Sequence, residues 1–329
     1  MGLFDLFKKK PAQQSAAQLT NEEKYGKAWL MIVGQNRQQG LQLMRELDAA
    51  GFIEASIALA MFTENPAERK RLAKKAADAG NPEGLWEYCG FLPHSYCPDP
   101  TDDQDALWER YCTQAAEAGS VDAMNELGNV YNRRGNHAES MYWYAMANAN
   151  DHRDGMVSMS GIARSWVNSG APYDMKPSSA KFDDARHKCA LAYLEIHSGK
   201  ELSVEMDEII SMVLAGVPIA AYLAGDLFEA AENHEMAYKM YNAIAFEKDP
   251  HGIKCYADML FTGRGIERDV NGAVRMYNMA ANLGERSAMF IMGEFTKTQN
   301  KNMAAYWYGV SHSRGYEHSL TRLMQLAGK

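Results

Sequence analysis

The sequence predicts an all-α protein, a right-handed α/α superhelix made by stacking helical hairpins. Three observations carry this expectation. Helix-stop segments recur along the chain, most of them ending in glycine. Small and large residues recur at fixed distances after each stop. Alternation at period two, the mark of a half-buried strand, is absent.

The stops come first. They read LMRELDAAG (43–51), LAKKAADAG (72–80), YCTQAAEAG (111–119), MYNMAANLG (276–284) and WYGVSHSRG (307–315). WYAMANAND (143–151), EIISMVLAG (208–216) and MYNAIAFEK (240–248) fit the same frame with a changed last residue or weaker small positions. Glycine past the last turn ends a helix because it enters the left-handed region without a Cβ clash. The stops fall at 51, 80, 119, 151, 216, 248, 284 and 315, so most intervals run from 29 to 39 residues and one spans 65. The long interval is about two units, so it should hold a degenerate repeat within 152–200, around DARHKCALAYLEIHSG (184–199).

A second helix pattern follows each stop. Four residues on stands a small residue: Ala55, Gly84, Ala123, Gly155, Ala220, Gly252, Ala288 and Ser319. Eight on there is a large one in all units but that of Ala224, and nine on a small one in all but that of Met324. Spacings of four, five and eight share one helix face. Small residues there admit a neighbouring helix closely, and the large one fills the space between. Each unit is therefore a helical hairpin, and the stack needs no domain boundary because its core grows by addition.

The chain divides accordingly. Residues 1–19 form an amphipathic, basic N-terminal segment. About nine hairpins occupy 20–315, opened by the capping-box sequence TNEE at Thr20, and a capping helix covers 316–329. The stretch from Asn168 to Ser179 reads as a long loop, and 169–181 fits nothing in the repeat.

Composition narrows the function. With 47% hydrophobic and 23% charged residues the chain is a soluble folded protein. A net charge of −8 argues against a nucleic-acid partner and admits a basic protein. Five cysteines (Cys89, Cys97, Cys112, Cys189, Cys255) are an odd, irregularly spaced set, as expected of reduced cytosolic thiols rather than disulfides. Cys89, His94, Cys97 and Cys112 lack the close pairing of a structural zinc site. There is no GxSxG elbow and no P-loop, so the expectation is a protein without catalytic residues, metal or cofactor. No stretch reaches the ~20 apolar residues of a membrane span. MGLFDLFKKK joins Leu3, Phe4, Leu6 and Phe7 to Lys8–Lys10, a combination suited to the surface of an anionic membrane. Leu6 breaks the myristoylation pattern. The expected location is the cytoplasm, and residues 1–10 have three readings: contact with the inner face of the membrane, a frayed start, or packing on the first repeat.

The segment YADMLFTGRGIERDVNGAVRMYNMAANLG (256–284) resembles the Sel-one-like repeat, a branch of the tetratricopeptide superfamily. GRGIERD (263–269) matches the family's inter-helix loop, with Gly263 and Gly265 in the turn and Asp269 as helix cap. Ala273, Tyr277, Ala280, Ala281 and Gly284 match its second helix, and AMNELGNVY (123–131) its first. The resemblance implies scaffold and adaptor roles. One cysteine-rich branch of the family binds β-lactams, but it pairs cysteines in each repeat and this chain does not.

If the hairpins stack as tetratricopeptides do, offsets six and ten from each stop face a concave groove. Offset six gives Trp86, Asn125, Tyr222, Lys254 and Phe290; offset ten gives Asn129, Asp226, Asp258 and Glu294. The expected function is a non-enzymatic scaffold that binds a partner protein against these residues, the acids of the C-terminal half steering a basic one. Two alternatives stay open: an immunity protein covering a basic toxin and, through the resemblance, an enzyme of the β-lactam branch.

Overall fold

The computed structural model describes residues 19–92, 103–150, 158–164, 184–246 and 249–328. The N-terminal segment, the 169–181 loop, His94, Cys97, Gly155 and the stops at 151 and 248 lie outside them.

Among the described residues every regular element is a helix. Seven hairpins are clear: α1 (Asn21–Val33) with α2 (Arg37–Ala49), α3 (Ile53–Phe62) with α4 (Pro66–Asp78), α5 (Pro82–Cys89) with α6 (Asp103–Glu117), and α7 (Val121–Arg133) with α8 (His137–Ala149). After α9 (158–164), α10 (Asp184–Ser198) and α11 (Met206–Leu214) come α12 (Pro218–Ala230) with α13 (His234–Phe246), α14 (Pro250–Thr262) with α15 (Val270–Asn282), and α16 (Arg286–Thr296) with α17 (Lys301–Ser313). The last helix is α18 (His318–Leu326).

The stops work as the sequence indicates. Gly51, Gly80, Gly119, Gly216, Gly284 and Gly315 all have φ between +74° and +108°. The next amide in each case bonds back over five residues, as Phe52 to Leu47 at 2.9 Å and Ser120 to Ala115 at 2.9 Å. This pattern satisfies carbonyls that a helix end otherwise leaves open. At the other ends, Thr20 and Glu23 form the expected reciprocal capping box, at 3.2 and 3.0 Å. Asp269 accepts the Gly272 amide at 2.8 Å, so it is the helix cap its loop position implies.

Small residues buy close packing at specific places. Gly84 lies against Ala76 of the preceding helix, and Gly252 against Ile244. Among the described residues of the 65-residue interval are α9, α10 and α11: α10 packs on α8 and α12, and α11 on α12 and α13. Met159, Ile162 and Ala163 of α9 join the same buried core.

The stack is not an open superhelix. Helix α17 lies along α1, and the two run parallel: Asn300 Nδ2 donates to Glu23 at 2.8 Å, Tyr306 meets Tyr25 at 5.9 Å and His312 meets Trp29 at 5.6 Å between ring centres. Gly26 lets the backbones touch, since a Cβ there would fall 1.9 Å from the Asn302 oxygen. Gly309 similarly accommodates the Trp29 indole. Helix α18 packs on both α17 and α1, so it covers a seam instead of ending a free stack. The largest buried core runs without a break from α14–α18 into α1–α4. The chain thus curls onto itself, its C-terminal hairpin packed against α1.

Candidate partner-binding site

The expected groove residues have structural partners that the repeat pattern did not reveal. Asn129, Asp226, Asp258 and Glu294 each accept a hydroxyl from a tyrosine of their hairpin's second helix. The pairs are Tyr144–Asn129 at 2.7 Å, Tyr241–Asp226 at 3.0 Å, Tyr277–Asp258 at 2.5 Å and Tyr308–Glu294 at 2.7 Å. In three of them the preceding residue is a glycine, Gly128, Gly225 or Gly293, and the tyrosine ring sits where its Cβ would be. In these four hairpins a small residue, a hydrogen-bond acceptor and a tyrosine form a clasp between the two helices. The legible signal was a Gly-acid or Gly-Asn pair followed 14 or 15 residues later, across the hairpin loop, by tyrosine.

The other expected residues are scattered. Tyr222 is buried, and its hydroxyl donates to Asp249 at 2.5 Å. Lys254 pairs with Asp258 at 3.1 Å. Phe290 packs between Tyr308 and Tyr316, with ring centres at 5.5 and 5.3 Å. Trp86 is half-buried against the α5–α8 core, and Asn125 is half-buried on α7. Glu294 also meets Lys297 and Arg322, which hold its carboxyl below the usual range against the opposing effect of burial.

Where the halves of the chain meet, charges are gathered. Arg286 is 5% exposed, and its guanidinium donates to the Arg314 oxygen and the Asn150 oxygen, both at 3.2 Å. A Cβ on Gly315 would lie 3.2 Å from Arg286 Nη1 and 3.6 Å from Asp122 Oδ2. Glu83 is buried beside them. Desolvation and the Asp122 charge push its pKa up to about 7, while Arg314 and Arg286 oppose the rise. Next to this junction is a cavity of about 240 Å³, walled by Met124, Trp143, Met146, Tyr222, His251 and Leu283.

His251 and Cys255 are the one close thiol–imidazole pair among the described contacts, with Nε2 and Sγ 3.3 Å apart. Burial takes His251 down to about 3 and raises the Cys255 thiol. Both groups are therefore neutral, the opposite of a thiolate–imidazolium nucleophile. Among the described residues no cluster of His, Cys, Asp or Glu is arranged to hold a metal ion.

A larger cleft, about 510 Å³, opens between α6, α8 and α10. Tyr131, Tyr142 and Trp143 form its aromatic wall, with Arg110 and Arg186 on the margins. Arg186 stacks over Tyr142 at 5.8 Å. At the base, Glu109 accepts from Tyr131 at 2.7 Å and Arg134 at 2.8 Å. Trp143 is half-buried, packs against the α5–α8 core and lines both cleft and cavity.

No family model matches the chain, and no curated protein matches it. Three solved structures are similar. The protective antigen c5321 of uropathogenic Escherichia coli, which displays an SLR fold, shares 16% identity at a TM-score of 0.37, over 93% of this chain and 79% of that one. A Sel1 repeat protein from Oxalobacter formigenes shares 16% at 0.33, over 99% and 95%. Yeast Tom70 shares 11% at 0.35, over 98% and 67%.

Proposed function

We propose that this chain is a non-catalytic binding platform whose protein partner sits in the cleft between α6, α8 and α10. The carrying observation is the cleft's wall, in which Tyr131, Tyr142 and Trp143 stand beside Arg110 and Arg186. Tyrosine, tryptophan and arginine are the residues that most often dominate interface energy: the aromatic rings bury large area with few rotors, and the arginine fork adds directed hydrogen bonds and stacking. The acid file of the C-terminal half is the less favoured seat, since its carboxylates already accept tyrosine hydroxyls. Neutralisation of a toxic enzyme would be one use of such a platform.

A photo-crosslinking residue at Gln114, which is exposed on the cleft margin, should capture the partner for identification by mass spectrometry. Affinity for that partner should fall at least about tenfold with Trp143→Ala, as for an interface hot spot. The triple exchange of Asp226, Asp258 and Glu294 to Ser should leave it within about twofold once corrected for lost stability. Unchanged affinity for Trp143→Ala would remove the cleft from consideration, and a large loss in the triple variant would return the site to the acid file.

A further inference from the structure

We infer that the cavity of about 240 Å³ is a site for a free apolar α-amino acid, bound as its zwitterion. It lies where α7 and α8 face the starts of α12, α14 and α16, and it shares Tyr142 and Trp143 with the larger cleft. The inference does not depend on a protein partner in that cleft.

Volume sets the scale of the occupant. Drug-sized ligands take cavities of about 300–1,000 Å³, so this one fits a single small metabolite. Its apolar wall is Met124, Trp143, Met146 and Leu283 with Pro218 and Pro250. The two prolines open α12 and α14, so they bring no amide hydrogen to that wall. Methionine side chains adapt to linear, branched and aromatic groups alike.

Two opposite charges complete the wall without neutralising one another. Asp249 caps α14, its Oδ1 accepting the Gly252 amide at 2.7 Å and the Tyr222 hydroxyl at 2.5 Å. Among the described residues no cation lies within ion-pair distance of this carboxylate. Burial raises its pKa against those hydrogen bonds, so a bound cation would favour its charged form. Arg314 ends α17, and its Nη1 donates to the Gly284 oxygen at 3.4 Å. Among the described residues it too has no ion pair, and it acts on the Glu83 carboxyl from beyond that distance.

The remaining charges of the wall are engaged by the protein or by solvent. Glu285 accepts the Ser287 hydroxyl at 2.9 Å and the Ala288 amide, Arg286 holds the oxygens of Asn150 and Arg314, and Glu117 is exposed. The start of α14 has a second polar need beside Asp249: Nδ1 of His251 is buried without a hydrogen-bond partner, a costly state for a polar atom. A simple anion would satisfy Arg314 and leave Asp249 desolvated, and a simple cation would do the reverse. The end of a peptide chain brings one of the two charges. A free α-amino acid carries both about one carbon, with an apolar side chain for the methionine wall.

The test is isothermal titration of the full chain with L-leucine, L-methionine and L-phenylalanine, each alone at neutral pH. At least one should bind saturably and one to one. For that amino acid, the amide, which lacks the carboxylate, and the deamino acid, which lacks the ammonium, should each bind at least about tenfold less well, because each leaves one wall charge unpaired. Asp249→Asn keeps a side chain that caps helices well, and Arg314→Gln keeps a polar chain; each should weaken the amino acid by at least about tenfold. Circular dichroism identifies a variant that fails to fold, and the analogue series on the parent chain then decides alone. Absence of binding by all three amino acids overturns the proposal. So does equal binding of the amide and the deamino acid, or undiminished binding by both folded variants.

Discussion

The Arg286 guanidinium donates to the main-chain oxygen of Asn150, 136 positions earlier, at 3.2 Å. The same side chain reaches the Arg314 oxygen, so one arginine joins the starts and ends of helices from both halves of the chain. Arg286→Ala should leave these carbonyls without their donor and Glu83 and Asp122 with less positive charge nearby. The expected cost is about 2–4 kcal/mol, as for other buried charged groups losing a partner. Urea denaturation should show it as a lower midpoint with little change in slope.

Glu83 makes that junction sensitive to pH. Its folded pKa of about 7 lies above its ordinary value of 4.5, so the folded chain binds this proton more tightly than the unfolded one. The contribution is therefore fully present below pH 4.5 and is lost as pH rises to about 7. Glu83→Gln should flatten this part of the stability profile, removing about 3 kcal/mol of pH dependence. Asp122→Asn should shift the window downward by removing a repelling charge. Thermal melts between pH 4.5 and 8 measure both.

The clasp in the α16–α17 hairpin can be probed from each side. Gly293→Ala would place a methyl 2.4 Å from the Tyr308 ring, and the expected loss from overpacking is about 1–3 kcal/mol. Tyr308→Phe keeps the ring and removes the hydroxyl that Glu294 accepts. Its cost should be smaller, about 1–2 kcal/mol, because Lys297 and Arg322 still hold the carboxylate. Equilibrium unfolding that ranks the two in reverse order would contradict the clasp geometry.

The seam between α1 and α17 has a sharper sensitivity. At Gly26 the obstacle is backbone, the Asn302 oxygen, and it cannot rotate aside as a side chain can. Gly26→Val should lower the melting temperature by more than Gly34→Val, which is confined to the end of α1. Hydrogen exchange should quicken in both α1 and α17, since they share one core.

Thiol chemistry offers a simple check. Cys89, Cys112 and Cys189 have no exposed surface, and burial raises the Cys255 thiol. A thiol reagent should find these four slow in the native chain. All five cysteines should react once the chain is unfolded in denaturant. A count of three or fewer under those conditions would mean that a disulfide or a metal is present.

The helices, their ends and their hairpin pairing were legible in the sequence because each depends on neighbours in the chain. Gly51, Gly80 and Gly119 end helices through their own backbone freedom, and Thr20 with Glu23 caps one from three residues away. Small residues at offsets four and nine also told which face packs, since contact between successive helices is set by helical period. What period could not say is which acceptor meets which tyrosine. Asp226 and Asp258 look like solvated charges in a list of offsets, and only the crossing of two helices brings Tyr241 and Tyr277 to them.

The curl of the stack lay further beyond reach. A repeat pattern fixes each unit against the next, but the shape of the whole is the sum of small rotations that no residue states. Gly26 and Gly309 read as ordinary helix positions until α17 lies parallel to α1 and their missing Cβ atoms admit Asn302 and Trp29. The sequence by itself determined an all-helical chain of hairpins and the glycine stops at 51, 80, 119, 216, 284 and 315. Tertiary structure alone decided that the C-terminal hairpin folds back against the first helices, because that contact joins residues nearly three hundred positions apart, such as Glu23 and Asn300.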